Sequence, residues 1–127
     1  MAIRYAAKDP TTGIRVTLIS SPVQGSVACR YAGFIPGMAS LFPILADMSP
    51  DSKFVTEGQK MLGDLLDKTT CMYCKVDGVI WPASSCYVDG AHRIIRLPDG
   101  VNHVTEIQDS RVVEQIGRIH ARYVMAA

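Results

Sequence analysis

Four residues in the middle of the chain could do chemistry together: Cys71-x2-Cys74-x11-Cys86-x5-His92. Three thiolates and an imidazole are donors that a tetrahedral zinc ion takes. The local pattern opposes that use. A zinc-holding CxxC normally turns back on itself, and the residue after Cys74 is Lys75, not a glycine that would ease the turn. In an extended strand, residues three apart point to opposite faces. Cys71 and Cys74 would then diverge and act as buried, reduced, small apolar side chains. A redox role needs the CxxC at a helix N-terminus, where the dipole lowers a thiol pKa. The reading is therefore no metal and no cofactor, with zinc on Cys71, Cys74, Cys86 and His92 as the named alternative.

A second set combines arginines with aromatic rings. Arg93, Arg96, His92, Trp81, Tyr87 and Asn102 fall within one stretch, with Lys75 and Tyr73 close by. Guanidinium forks and ring faces hold phosphates and bases. This set predicts a site for a small anionic or nucleotide-like ligand, shared across a subunit interface. Arg111, Arg118 and Arg122 form a second basic row on one helix face, which serves most simply as a solvated face. The order cysteine pair, His92, Asn102, then His103 or His120 is superficially similar to an HNH nuclease. Ala91 stands where an acid would precede His92, and the second CxxC knuckle is absent.

Asp-Gly turns dominate the region that must position these residues. Asp77-Gly78, Asp89-Gly90 and Asp99-Gly100 separate runs rich in Val, Ile, Tyr and Thr. Asp-Gly between apolar runs is a strong hairpin signal, because both residues accept positive φ. The spacing predicts an antiparallel meander that pairs Val76 with Val79, Cys74 with Trp81, Val88 with Ala91 and Tyr87 with His92. Upstream, residues 2–7, 14–19 and 26–32 alternate apolar and polar side chains between turn-rich segments, which predicts a three-stranded N-terminal meander. Residues 33–48 (GFIPGMASLFPILADM) carry prolines at 36 and 43. They predict a loop and a short helix interrupted near Pro43, crossing the core or forming a contact surface. Ser49-Pro50-Asp51 reads as a helix start, with Phe54, Gly58, Met61, Leu62 and Leu65 as its apolar stripe. Asp109 or Ser110 opens a last helix with Val112, Val113, Ile116, Ile119, His120 and Tyr123 on one side. Gly117 inside it suggests a close helix or subunit contact.

The fold expected is thus α+β: one domain over 1–127, an antiparallel sheet in two meanders, with a central and a C-terminal helix packed on it. Apolar residues on both sheet faces ask for a second cover, and so for a homo-oligomer, most simply a dimer. Thirteen basic and twelve acidic residues leave a formal charge of +1, which argues against a nucleic-acid partner. The first ten residues hold no apolar stretch of signal-peptide length, and no run approaches a membrane span, so a cytoplasmic protein is expected. With no catalytic constellation, balanced charge and excess apolar surface, the leading function is non-enzymatic: a small binding protein that occupies a partner protein as an inhibitor or adaptor. Accessory proteins of phages and mobile elements are often of this kind. Sequestration of an anionic ligand is the alternative, followed by a zinc module or HNH-like nuclease.

Overall fold

Thr69–Tyr73 (TTCMY) is buried at every position but its last, with no alternation of buried and exposed residues. A strand covered on both faces reads this way, and that is the mark of a parallel sheet. In a computed structural model of the chain, which describes residues 14–32 and 34–124, this segment is β2, the centre of a three-stranded sheet ordered β1-β2-β3. The edges are β1 (Val16–Ile19) and β3 (Arg93–Arg96). Both pair with β2 in parallel, with Leu18 opposite Cys71 and Cys71 opposite Ile94.

The antiparallel meanders expected from the sequence are therefore overturned. Parallel neighbours need a crossover of a dozen or more residues. Asp77-Gly78 and Asp89-Gly90 lie inside the crossover from β2 to β3, and Asp99-Gly100 follows β3. Gly78, Gly90 and Gly100 do take positive φ, at 81°, 88° and 88°. They turn the chain without folding strands back on each other. At Asp77 the reason is visible: its Oδ1 accepts the backbone N–H groups of Val79 (3.1 Å) and Ile80 (2.7 Å). A side chain that takes these amides competes with a hairpin ladder. The N-terminal meander fails as well. Val16–Ile19 is a strand, residues 26–32 contain helix α1 (Val27–Ala32), and residues 2–7 lie outside the described residues.

Residues 34–48 form turns and two short helices, α2 (Met38–Leu41) and α3 (Ile44–Asp47), separated at Pro43, which caps the second. The next helix, α4 (Lys53–Gly63), starts later than Ser49 would place it. Ser52 is the N-cap, and its hydroxyl accepts the Val55 N–H at 3.1 Å. Leu62 of the expected stripe is buried, but Val55 takes the place of Phe54, which is exposed. The last helix is α5 (Ser110–Val124), with Val112 and Ile119 buried. A Cβ on Gly117 would meet nothing within 4 Å, so no packing within the described residues requires that glycine.

Each sheet face has its own cover. Val16, Leu18 and Cys71 pack with Leu62 and Leu65 at and just beyond the end of α4. Met72, Cys74, Leu97 and Val101 pack with Val112 and Ile119 of α5. The second cover that suggested a homo-oligomer is thus supplied within the chain. No helix among the described residues is long and apolar enough to cross a membrane.

Candidate functional site

Parallel strands place all their carboxyl ends on one side, so the segments that follow them converge there. Ligands of open parallel sheets bind in that region. Ser20 directly follows β1, Cys74 directly follows β2, and a turn over 103–108 comes after β3. From these segments five polar side chains meet. The Ser20 hydroxyl donates to Cys74 Sγ at 3.5 Å, between residues 54 positions apart. Cys74 Sγ in turn donates to Glu106 Oε2 at 3.5 Å. His103 Nδ1 lies 3.2 Å from Asp77 Oδ2 and 4.0 Å from Glu106 Oε1. One ligand atom each from Cys74, Asp77 and Glu106 lie within 4.8 Å of one another.

Burial is nearly complete. The Asp77 side chain is 0% exposed and that of Glu106 6%, while His103, at 34%, links the group to solvent. Ser20 holds a left-handed φ of 37°, a conformation that costs a non-glycine residue and that collects at functional sites. Its N–H donates to the Met72 carbonyl at 2.8 Å, so the backbone is held in register there while the hydroxyl turns inward. Close in the chain to this group lies a cleft of about 330 Å³ lined by Lys75, Val76 and the loop from Pro98 to Asn102.

Three thiols, Cys71, Cys74 and Cys86, are shifted away from the reactive thiolate form. Burial pushes Cys74 up, the Ser20 hydrogen bond offsets part of this, and the Glu106 and Asp77 carboxylates push further up. Burial likewise raises Cys71, against a backbone hydrogen bond from Val88. Cys86 is pushed from 9.0 to about 12, first by burial and then by the charges of Asp77, Cys74 and Glu106. A reactive cysteine needs the opposite shift. These raised values carry a stability consequence. Below pH 9.0 the protonated Cys86 thiol favours the fold fully. Between 9.0 and about 12 the unfolded chain loses that proton and the folded chain keeps it, so stability falls as pH rises. Urea midpoints measured across that alkaline window are expected to decline steadily, and Cys86→Ala to flatten the decline.

The cysteines and arginines named from the sequence are placed as follows. Cys71 packs on the α4 face and Cys74 on the α5 face. Cys86 is buried in a 3-10 turn (Ala83–Cys86), and His92 is exposed, with its backbone N–H on the Leu66 carbonyl. Arg93 and Arg96 sit at the two ends of edge strand β3, opposite Thr70 and Tyr73. The Arg96 guanidinium donates to Asp99 at 2.9 Å. Tyr87 tilts against Tyr73 with ring centroids 4.9 Å apart. Trp81 is exposed, and Asn102 Oδ1 caps its own turn by accepting the Val104 and Thr105 N–H groups. Of the ligand set, only Asn102 lines the cleft. Sequence reasoning missed Ser20, Asp77 and Glu106 as site residues. Their signal was the spacing Cys74-x2-Asp77 and His103-x2-Glu106, which becomes legible once the sheet is known to be parallel.

A second feature stands apart from this group. Tyr31, Phe34, Ile35, Phe42, Ile44 and Phe54 are all exposed, with Phe34 at 76% and Ile44 at 61%. They come from α1, α3 and α4 and the turns between them. In this region α1 packs on α3, α2 on α3, and α3 on α4. Residues 31–48 carry a single charged side chain, Asp47. Compared with protein-family models, curated proteins and solved structures, the chain matches none.

Proposed function

We propose that this protein works by binding: it occupies a partner protein through the apolar platform of residues 31–54, as an inhibitor or adaptor. The exposed row of Tyr31, Phe34, Ile35, Phe42, Ile44 and Phe54 carries this reading. Monomeric proteins rarely leave more than a few hundred Å² of contiguous apolar surface uncovered, and larger patches mark interaction sites. Charged pairs, Arg30 with Asp51 and Lys53 with Glu57, stand next to Tyr31 and Phe54 in the chain. An apolar centre inside a charged rim is how a protein interface is built. The partner expected is a folded protein presenting an uncharged, apolar surface, with ionic contacts confined to its edge. A catalytic role has less support, since burial and the neighbouring carboxylates push the one thiol of the polar group, Cys74, up and away from the thiolate. Anion sequestration has less support too, since Arg96 and Asn102 already serve Asp99 and a turn.

The test is site-specific photo-crosslinking in living cells. A photoreactive phenylalanine analogue at position 42 is expected to give one discrete adduct with a second protein, and the same analogue at exposed Arg118 to give none. Phe34→Asp and Ile44→Asp are expected to abolish the adduct while changing stability by only about 0.5 kcal/mol, as exposed substitutions do. Equal labelling from positions 42 and 118, or an adduct only at twice the chain mass, would overturn the reading.

A further inference from the structure

We propose that Cys74, Asp77, His103 and Glu106 form a closed site for one divalent transition-metal ion, with zinc as the ion that best fits the donors. The four come as two pairs, Cys74-x2-Asp77 after β2 and His103-x2-Glu106 after β3. Each pair has the short spacing by which one turn delivers two ligands to zinc. The parallel sheet brings the two turns face to face. Asp77 and His103 meet across 26 positions, and Cys74 and Glu106 across 32.

The distances suit a tetrahedral ion. Zinc bonds of about 2.0–2.3 Å imply ligand atoms roughly 3.3–3.8 Å from one another. The contacts here are 3.2 Å for His103 Nδ1 to Asp77, 3.5 Å for Cys74 Sγ to Glu106, and 4.0 Å for His103 Nδ1 to Glu106. Cys74, Asp77 and Glu106 each offer one atom within 4.8 Å of the other two, and His103, which reaches both carboxylates, would have to turn toward that centre to serve as the fourth ligand. One sulfur, one nitrogen and two oxygens suit zinc, whereas calcium and magnesium take oxygen alone.

The carboxylates are an independent reason. Among the described residues, His103 is the only basic side chain within ion-pair distance of Asp77 or Glu106. Asp77 is at least held by two amides. Glu106 is held less well: among the same residues its buried carboxylate meets only the Cys74 thiol at 3.5 Å and the His103 ring at 4.0 Å. A carboxylate so far removed from water is costly unless a charge answers it. A dication answers both. The supporting layer is already present, since the Val79 and Ile80 amides orient Asp77 and the Ser20 hydroxyl rests on Cys74. Such groups fix ligands in place. Half-buried His103 gives the ion a path from solvent. On binding, the Cys74 S–H bond breaks, sulfur bonds the metal and one proton leaves to solvent. With four protein ligands no position stays open for substrate, so the site braces the sheet's carboxyl edge and does not catalyse.

The experiment is a titration of chelator-treated full-length protein with Co²⁺ followed by Zn²⁺. One Co²⁺ per chain is expected, with a near-ultraviolet thiolate-to-cobalt band that Zn²⁺ displaces. The apparent affinity is expected to rise about tenfold per pH unit, because one thiol proton is released. Glu106→Gln is expected to weaken binding about 100-fold or more. Cys74→Ser is expected to lose the band, and Cys71→Ser to keep it. A cobalt titration of the unaltered protein with no thiolate band would overturn the proposal without any variant. So would a band that survives Cys74→Ser, or Mg²⁺ competing as well as Zn²⁺.

Discussion

Gly25→Ala is expected to remove a large part of the stability of the fold, about 4 kcal/mol against the roughly 5–15 kcal/mol typical of a native protein. Gly25 has a φ of 75°, where alanine costs roughly 1–2 kcal/mol. A Cβ there would also stand 2.5 Å from Pro50 Cα, 2.6 Å from Pro50 N and 2.9 Å from the Ser49 carbonyl carbon. These are backbone atoms and cannot rotate aside as a side-chain tip would. Forced overpacking of this sort adds roughly 1–3 kcal/mol. Gly37→Ala is the control. Its φ of 83° carries a similar conformational cost, but nothing lies within 4 Å. The difference between the two urea-unfolding free energies isolates the steric part, and equal losses would show that the Pro50 contact is unimportant. The position matters because the Ser26 N–H donates to the Met48 carbonyl at 2.8 Å, beside the Gly25–Pro50 contact. Together they tie the start of α1 to the segment between α3 and α4, and so join the two ends of the stretch that carries most of the platform. Gly25→Ala is therefore also expected to lower crosslinking from position 42.

Asp77→Ala is the second large effect, at about 2–4 kcal/mol in the presence of chelator. It strips the acceptor from the buried Ile80 amide, which costs about 1–3 kcal/mol when orphaned, and from the part-buried Val79 amide, which water can partly serve. Asp77→Asn separates this from charge. The amide oxygen of an asparagine side chain can still receive both N–H groups, and the change removes one of two neighbouring negative charges. The Asp77→Asn protein is expected to retain most of the stability without metal and to lose most of the gain that Zn²⁺ gives the unaltered protein. Thermal unfolding with and without Zn²⁺ reads both effects. Equal destabilisation by the two substitutions would show that the charge of Asp77, and not its acceptor role, holds this turn.

The turns of this chain were legible from its sequence, and their consequence was not. Asp-Gly at 77–78, 89–90 and 99–100 does turn the backbone with positive φ. Yet Asp-Gly suits a crossover loop as well as a hairpin, and short apolar runs do not say which neighbour they pair with. The unbroken burial of Thr69–Tyr73 marks a parallel strand, and a stretch containing two threonines does not read as a core strand by eye. Val27, Cys29 and Tyr31 alternate like a strand, but six residues hold too few periods to exclude a helix. The last helix was legible because its stripe repeats over several turns. Long-range pairing decides the polar group: Asp77 and Glu106 become neighbours only when β2 and β3 run side by side.

The order of the sheet also sets a clock on synthesis. Strand β1 has its partner in β2, and the Ser20–Cys74 contact spans 54 positions. At about 5–20 residues per second, the ribosome needs roughly 3–10 s to make that stretch. During this interval β1 and the apolar platform emerge with no sheet to join. Non-local parallel pairing is intrinsically slow as well. The nascent chain thus exposes its stickiest surface first and its organising strand later. Its yield in cells is expected to depend on chaperones or on early arrival of the partner that covers the platform.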